Sequence, residues 1–268
     1  MKDADQSIKL YKQLLTLSSH IKDNFLKNVP TFENQLSYDE INRVCYKKMY
    51  AEIADREGVR PLPELYGEID GLKELYSRAR KYYLTPRNKS VKGLDVQLGN
   101  KFDEAMIDFL NKLGIKASRA DTKNKRLPDI MILDRTRNIK AYIEMKYHNA
   151  PFMLAWNLLG REPYEGSITM DTKKLEKQLI EIESELERPV YFVHWVDFPD
   201  LKGIFFNTNE QIRMYLEEDS EQFVRKDRDG DFKETIYAIR KKVGYSEKFY
   251  PPLHEMGDFS ELLNNLKK

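Results

Sequence analysis

The chain has 268 residues, 41% of them hydrophobic, which is enough apolar material for one large domain or two modest ones. Its 45 Lys and Arg nearly cancel its 44 Asp and Glu, leaving a net charge of +1, so bulk charge excludes no class of partner and any electrostatic footprint must be local. Cys45 stands alone, which excludes an internal disulfide and makes a reducing compartment the expectation. With only His20, His148, His194 and His254 beside it, a Cys/His zinc centre is not expected either.

The opening MKDADQSIKLYKQ carries no apolar targeting core, and no run approaches the length that spans a bilayer. The expected location is the cytoplasm, with no membrane partner. From Leu10 to Leu26, LYKQLLTLSSHIKDNFL places apolar residues three and four apart, a helix. The stretch NQLSYDEINRVCYKKMYAEIADREG repeats that spacing after Ser37, the expected N-cap. GVRPLPELYG breaks the pattern with Pro61 and Pro63, and helical spacing resumes through IDGLKELYSRARKYY. Tyr76 to Gly93 then holds Arg78, Arg80, Lys81, Arg87, Lys89 and Lys92 with three tyrosines and no acid. It is the clearest basic cluster in a balanced chain, either a solvated helix end or a surface for phosphates.

From Leu94 the pattern changes, and we divide the chain there into a helical region (residues 1–93) and a second domain (residues 94–268). QLGNKFDEAMIDFLNKLG is an amphipathic helix closed by Gly114. IKASRADTKNKR holds a short strand and a basic loop, and DIMILD and IKAYIEMKY are strands joined through RTRN. An irregular stretch from Asn149 to Met170 leads to DTKKLEKQLIEIESELE, a helix with Asp171 as its expected cap and Leu175, Leu179, Ile182 and Leu186 in one stripe. VYFVHWVDF and GIFFN follow as strands. Strand, helix and strand in that order imply a crossover and a mixed α/β sheet flanked by helices. The tail from Asn209 is partly helical and broken at YPPLHEMG.

Three charged residues sit oddly within the apolar strands. Alternation in IKAYIEMKY puts Ile139, Ala141, Ile143, Met145 and Tyr147 on one face, expected to be buried. Tyr142, Glu144, Lys146 and His148 fall on the other, expected to be polar. Asp129 stands after Pro128 at the mouth of the preceding strand; if the two strands pair, Asp129 and Glu144 converge. Converging carboxylates repel unless a cation lies between them, and carboxylate oxygens with water suit Mg²⁺. Lys146 on the same face would then stabilise charge on a phosphate, a set of parts that fits metal-assisted phosphodiester hydrolysis. The other reading is a solvated hairpin face with a Glu–Lys pair.

Pro128-Asp129, fourteen residues, then Glu144-Met145-Lys146 resembles the PD-(D/E)xK signature of the restriction-endonuclease-like nucleases. The order of elements from about Leu98 to Phe198 is similar to that superfamily's common core. Family members often add an acid from the first core helix, four residues after a Gly, which here is Gly99 and points to Asp103. At about 100° per residue Asp103 flanks the stripe of Phe102, Met106, Phe109, Leu110 and Leu113, while Glu104, the reserve, points away.

The resemblance implies a restriction-endonuclease-like fold and a Mg²⁺-dependent endodeoxyribonuclease with no nucleotide cofactor. Asp129, Glu144 and Asp103 would hold the metal, and Lys146 would join them in catalysis. A type II restriction enzyme cutting a specific double-stranded DNA sequence is the first expectation. A Holliday-junction-resolvase-like or repair nuclease, and a catalytically inactive DNA-binding protein on the same fold, are the alternatives. The basic residues Arg78, Arg80, Lys81, Arg87 and Lys89 would contact the backbone. Asn157 and Arg161, types that read adenine and guanine edges, would contact bases. A homodimer is expected, because two sites facing one duplex cut both strands.

Overall fold

The computed structural model describes residues 2–28, 31–33, 35–84, 94–121, 127–151, 168, 170–181, 186–218, 232–234, 240–242 and 248–268. Arg87, Lys89, Asn157 and Arg161 lie outside them. A six-stranded mixed sheet, in the order β1-β2-β3-β5-β6-β10, organises the molecule. Its strands are β1 (Ala117–Arg119), β2 (Ile130–Leu133), β3 (Ile139–His148), β5 (Val190–Asp197), β6 (Lys202–Thr208) and β10 (Gly257–Asp258). β2 and β3 form the expected antiparallel hairpin, and β3 runs parallel to β5 through seven residue pairs, so the segment between them is the expected crossover. The hairpin turn is built by Asp134, whose carboxylate accepts from the Thr136 and Asn138 amides, both at 2.8 Å, while Arg137 takes a left-handed φ of 70°.

Helices cover both faces. On one lie α1 (Ala4–Asn24), α5 (Leu94–Lys112) and α8 (Phe259–Lys267), sharing a core with Ala141, Ile143, Met145, Val193, Trp195, Ile204 and Phe206. Asp3 caps α1, accepting from Gln6 N at 3.0 Å, and Leu10, Tyr11, Leu14, Leu15 and Ile21 form its buried stripe. On the opposite face lie α6 (Thr172–Glu181) and α7 (Asn209–Glu218), with Tyr142, Val190, Phe192, Val196 and Phe205 in a second core. A third core gathers α2 (Glu40–Tyr46), α3 (Leu62–Leu65) and α4 (Leu72–Leu84). The α2 region docks directly on the sheet: Tyr46 stacks on Phe205, and a Cβ at Gly203 would stand 2.9 Å from the Tyr46 ring.

The structure departs from the sequence reading at two elements. Asp39 rather than Ser37 caps α2, in a reciprocal box in which Asp39 and Asn42 each accept the other's backbone N–H. Asp171, the residue directly before α6, forms β4 with Met170, paired to β9 (Lys248–Phe249). The even face of β3 is not an open polar face. The strand sits inside the sheet with helices on both sides, so Tyr142 and Glu144 are buried along with Ile143. Two further two-strand pairings involve β7 (Phe232–Glu234) and β8 (Arg240–Lys242), which pair with each other, and β4 with β9. Among the described residues no helix is long and apolar enough to cross a membrane.

Candidate active site

The β2–β3 register, Ile130 against Ile143, continued by one residue sets Asp129 directly opposite Glu144. Asp129 is held there twice. Its backbone oxygen accepts from Ala120 N at 3.0 Å, extending the β1–β2 pairing, and its Oδ2 accepts from Met145 N at 2.9 Å. Glu144 is 5% exposed. Lys146, two residues on and on the same side of the strand, places its Nζ 3.5 Å from Glu144 Oε1 and keeps part of its side chain in solvent. A side chain this polar is costly to bury without a partner, and Lys146 supplies one.

Asp103 enters from α5. Its helix packs Phe102, Ala105, Met106, Phe109 and Leu110 onto the sheet, which carries Asp103 inward to 7% exposure. Burial, and then the negative charge of Asp129, push its carboxyl up to about 7; Glu144 and Glu104 add to the rise, and the Arg119 guanidinium opposes it. Arg119 donates to the side chain and the backbone oxygen of Asn100, both at 2.8 Å, and stands 3.4 Å from Asp103 Oδ2. Glu104 is exposed and paired with Lys101 at 2.7 Å, pointing away from the site. Three acids from three elements therefore feel one another's charge. Among the described residues no three His, Cys, Asp or Glu side chains are closed up enough to hold a metal ion. Asp129 Oδ2 is engaged by the Met145 amide and Glu144 by Lys146. As a donor set the three are all hard carboxylate oxygens, the chemistry that suits Mg²⁺ rather than zinc.

Two features escaped the sequence reading. Arg119 sat in a basic run, IKASRADTKNKR, where nothing marked one cation from the next; only the β1–β2 pairing turns it onto α5. His148 is not a solvated strand-end histidine. In-register pairing of Lys146 with His194 brings β3 and β5 polar groups together, and His148 Nε2 lies 3.2 Å from His194 Nδ1. Burial first, and then the Lys146 charge, push His148 down to about 3, and burial with the neighbouring His148 holds His194 low as well. Both imidazoles are thus neutral beside Lys146, which spares the lysine a second cation.

The basic residues Arg78, Arg80 and Lys81 lie exposed on the last turns of α4, with Ala79 buried between them. Arg78 is partly engaged by Glu33 at 2.9 Å, both side chains being more than half exposed. No family model matches the chain, and neither a curated protein nor a solved structure matches it.

Proposed function

We propose that the protein is a Mg²⁺-dependent endodeoxyribonuclease with a restriction-endonuclease-like core, and that it cuts double-stranded DNA as a homodimer. The observation that carries this reading is the pairing of Asp129 against Glu144 across the hairpin, with Asp103 buried beside them and Lys146 set 3.5 Å from Glu144. Two buried carboxylates, Asp103 and Glu144, set near a third at Asp129 are unfavourable unless they serve a cation. A solvated Glu–Lys hairpin face does not account for acids at 5–7% exposure.

Asp129, Glu144 and Asp103 are the residues that would hold Mg²⁺. When bound, such a cation polarises the phosphate and lowers the pKa of a coordinated water. The rest of the work falls to the chain. The Met145 amide fixes the rotamer of Asp129, and Arg119 leans on Asp103 so that the helix acid stays turned to the hairpin. Lys146 is set against Glu144 from the same strand. It is suited to offset the charge that builds on a phosphate under attack. Arg78, Arg80 and Lys81, with the equally basic Arg87 and Lys89, would hold the DNA backbone. Asn157 and Arg161 remain our choice for base contacts.

The test is incubation with unmethylated phage DNA and Mg²⁺, followed by electrophoresis. Discrete bands are the expected result. A smear would mean a non-specific nuclease, cutting of branched substrates alone a junction resolvase, and binding without cutting at any divalent cation an inactive DNA-binding protein.

A further inference from the structure

The helix that carries the exposed cations also touches the catalytic strand. Tyr83, in the last turn of α4, donates from its hydroxyl to the backbone oxygen of Asn149 at 2.7 Å. Asn149 is the residue directly after β3, three positions beyond Lys146 and five beyond Glu144. The same oxygen accepts a second hydrogen bond, from Gln35 Nε2 at 3.1 Å. Phe32 fixes the approach, lying against the Tyr83 ring with centroids 5.8 Å apart and against Tyr82 at 5.4 Å.

One residue further along, Leu36 completes the grip. Its backbone N–H donates to Asp197 Oδ2 at 3.0 Å, and Tyr147 donates its hydroxyl to the same oxygen at 2.8 Å. Lys202 pairs with the other oxygen of Asp197 at 2.6 Å, deep in the interior. Tyr147 belongs to β3, and its ring stacks on Phe102, the neighbour of Asp103, at 3.6 Å between centroids. Leu36 holds all this with a left-handed φ of 49°. For a branched side chain that conformation is unfavourable, and it survives only where its surroundings fix it.

We infer that Tyr83 and Gln35 are positioning residues. They register the cationic end of α4 against the end of β3, so that a duplex seated on Arg78, Arg80 and Lys81 meets Glu144 and Lys146 at a fixed offset. This inference rests on the nuclease reading above and goes beyond it, because that reading requires only that both surfaces exist. The physical case is one of precision: catalysis by positioning is lost steeply when a reacting group is displaced by about 1 Å. A backbone oxygen that takes two donors from the helical region, at the exit of the strand bearing Glu144 and Lys146, is a direct link between the two surfaces.

The experiment compares wild type with Tyr83→Phe, Gln35→Leu and the double variant, all as full-length protein. Duplex affinity is measured by anisotropy without divalent cation, and single-turnover cleavage with Mg²⁺ at saturating DNA. The two donors share one acceptor, so each single change should slow cleavage by about threefold and the double change by about thirtyfold or more, with affinity held within about twofold. An independent readout is amide exchange at Met145 to Asn149, which duplex binding should slow in wild type and leave unchanged in the double variant. Equal cleavage rates and equal exchange protection in all four proteins would overturn the inference while leaving the nuclease reading intact. Loss of affinity and thermal stability in step with rate would overturn it too, as a purely structural role. A wild-type protein that binds but does not cut any DNA would instead sink the nuclease reading, and the exchange measurement would still decide the coupling.

Discussion

Asp103 and His148 bring opposite pH dependences to one small region. The folded carboxyl of Asp103 is raised from 3.8 to about 7, so its share of stability is complete below pH 3.8 and is lost as pH rises through 7. His148 is lowered from 6.5 to about 3, so its share is complete above pH 6.5 and is lost as pH falls toward 3. Across pH 4 to 6.5 the two slopes oppose. Asp103→Asn should therefore make the stability of the metal-free protein rise more steeply with pH. By denaturant unfolding, its advantage over wild type should grow by about 3 kcal/mol from pH 4.5 to 7.5. An advantage independent of pH would mean that Asp103 is not held among other acids. Glu104→Gln, which removes only an exposed partner of Lys101, should leave stability within about 0.5 kcal/mol of wild type and cleavage nearly unchanged, whereas Asp103→Asn should slow cleavage at least tenfold. Asp103 was legible over Glu104 from helical angle alone, because the stripe of Phe102, Met106 and Phe109 fixes which flank turns inward. His148 and Arg119 were not legible: each depends on which strand lies beside it, and pairing partners far apart in sequence leave no local mark.

At the scale of elements, β3 owes its position to the strands on either side of it. Its alternating pattern alone describes a half-exposed hairpin strand, and that expectation failed because β5, brought alongside by the crossover, closes the second edge while α6 and α7 cover the second face. The hairpin, its register and the crossover were legible, since apolar runs, the DRTRN turn and the strong α6 stripe are local signals. The N-cap at Asp39 was missed because Ser37 has the same chemistry two residues earlier, and the choice is made by where Asn42 can reciprocate. β5 and β6 are joined across their tight turn by the Asp197–Lys202 pair, in which both side chains are 0% exposed. Lys202→Met keeps the volume and removes the partner of Asp197 Oδ1, so that among the described residues the Tyr147 and Leu36 donors are left facing the buried carboxyl. Unfolding in urea should show a loss of about 3–5 kcal/mol. A loss under 1 kcal/mol would show that those two donors suffice to hold the carboxyl.

At the scale of the molecule, the helical region is built onto the sheet rather than strung beside it. α1 shares a core with α5 and α8, Tyr46 lies on β6, and Gln35, Leu36 and Tyr83 reach the strand ends. No composition shift in the sequence foretold this packing, because helices that cover a sheet and helices that cover one another have the same amphipathic spacing. Neutralising Arg78, Arg80 and Lys81 together should weaken DNA binding on every sequence and flatten the plot of log affinity against log salt by about 2 units. This is less than three full contacts would give, since Arg78 is already engaged by Glu33. Affinity and slope equal to wild type would place the duplex elsewhere.

The central claim is that Asp129 and Glu144, opposed across the hairpin, hold the cation that cuts DNA. Single-turnover cleavage of a duplex substrate with Mg²⁺, set beside affinity measured without it, tests this most directly in Asp129→Ala and Glu144→Ala. Wild type should cut. Both variants should lose at least about a thousandfold in rate while binding DNA as tightly or more tightly, because removing an acid relieves repulsion of the phosphate. Either variant cutting at near wild-type rate would contradict the account.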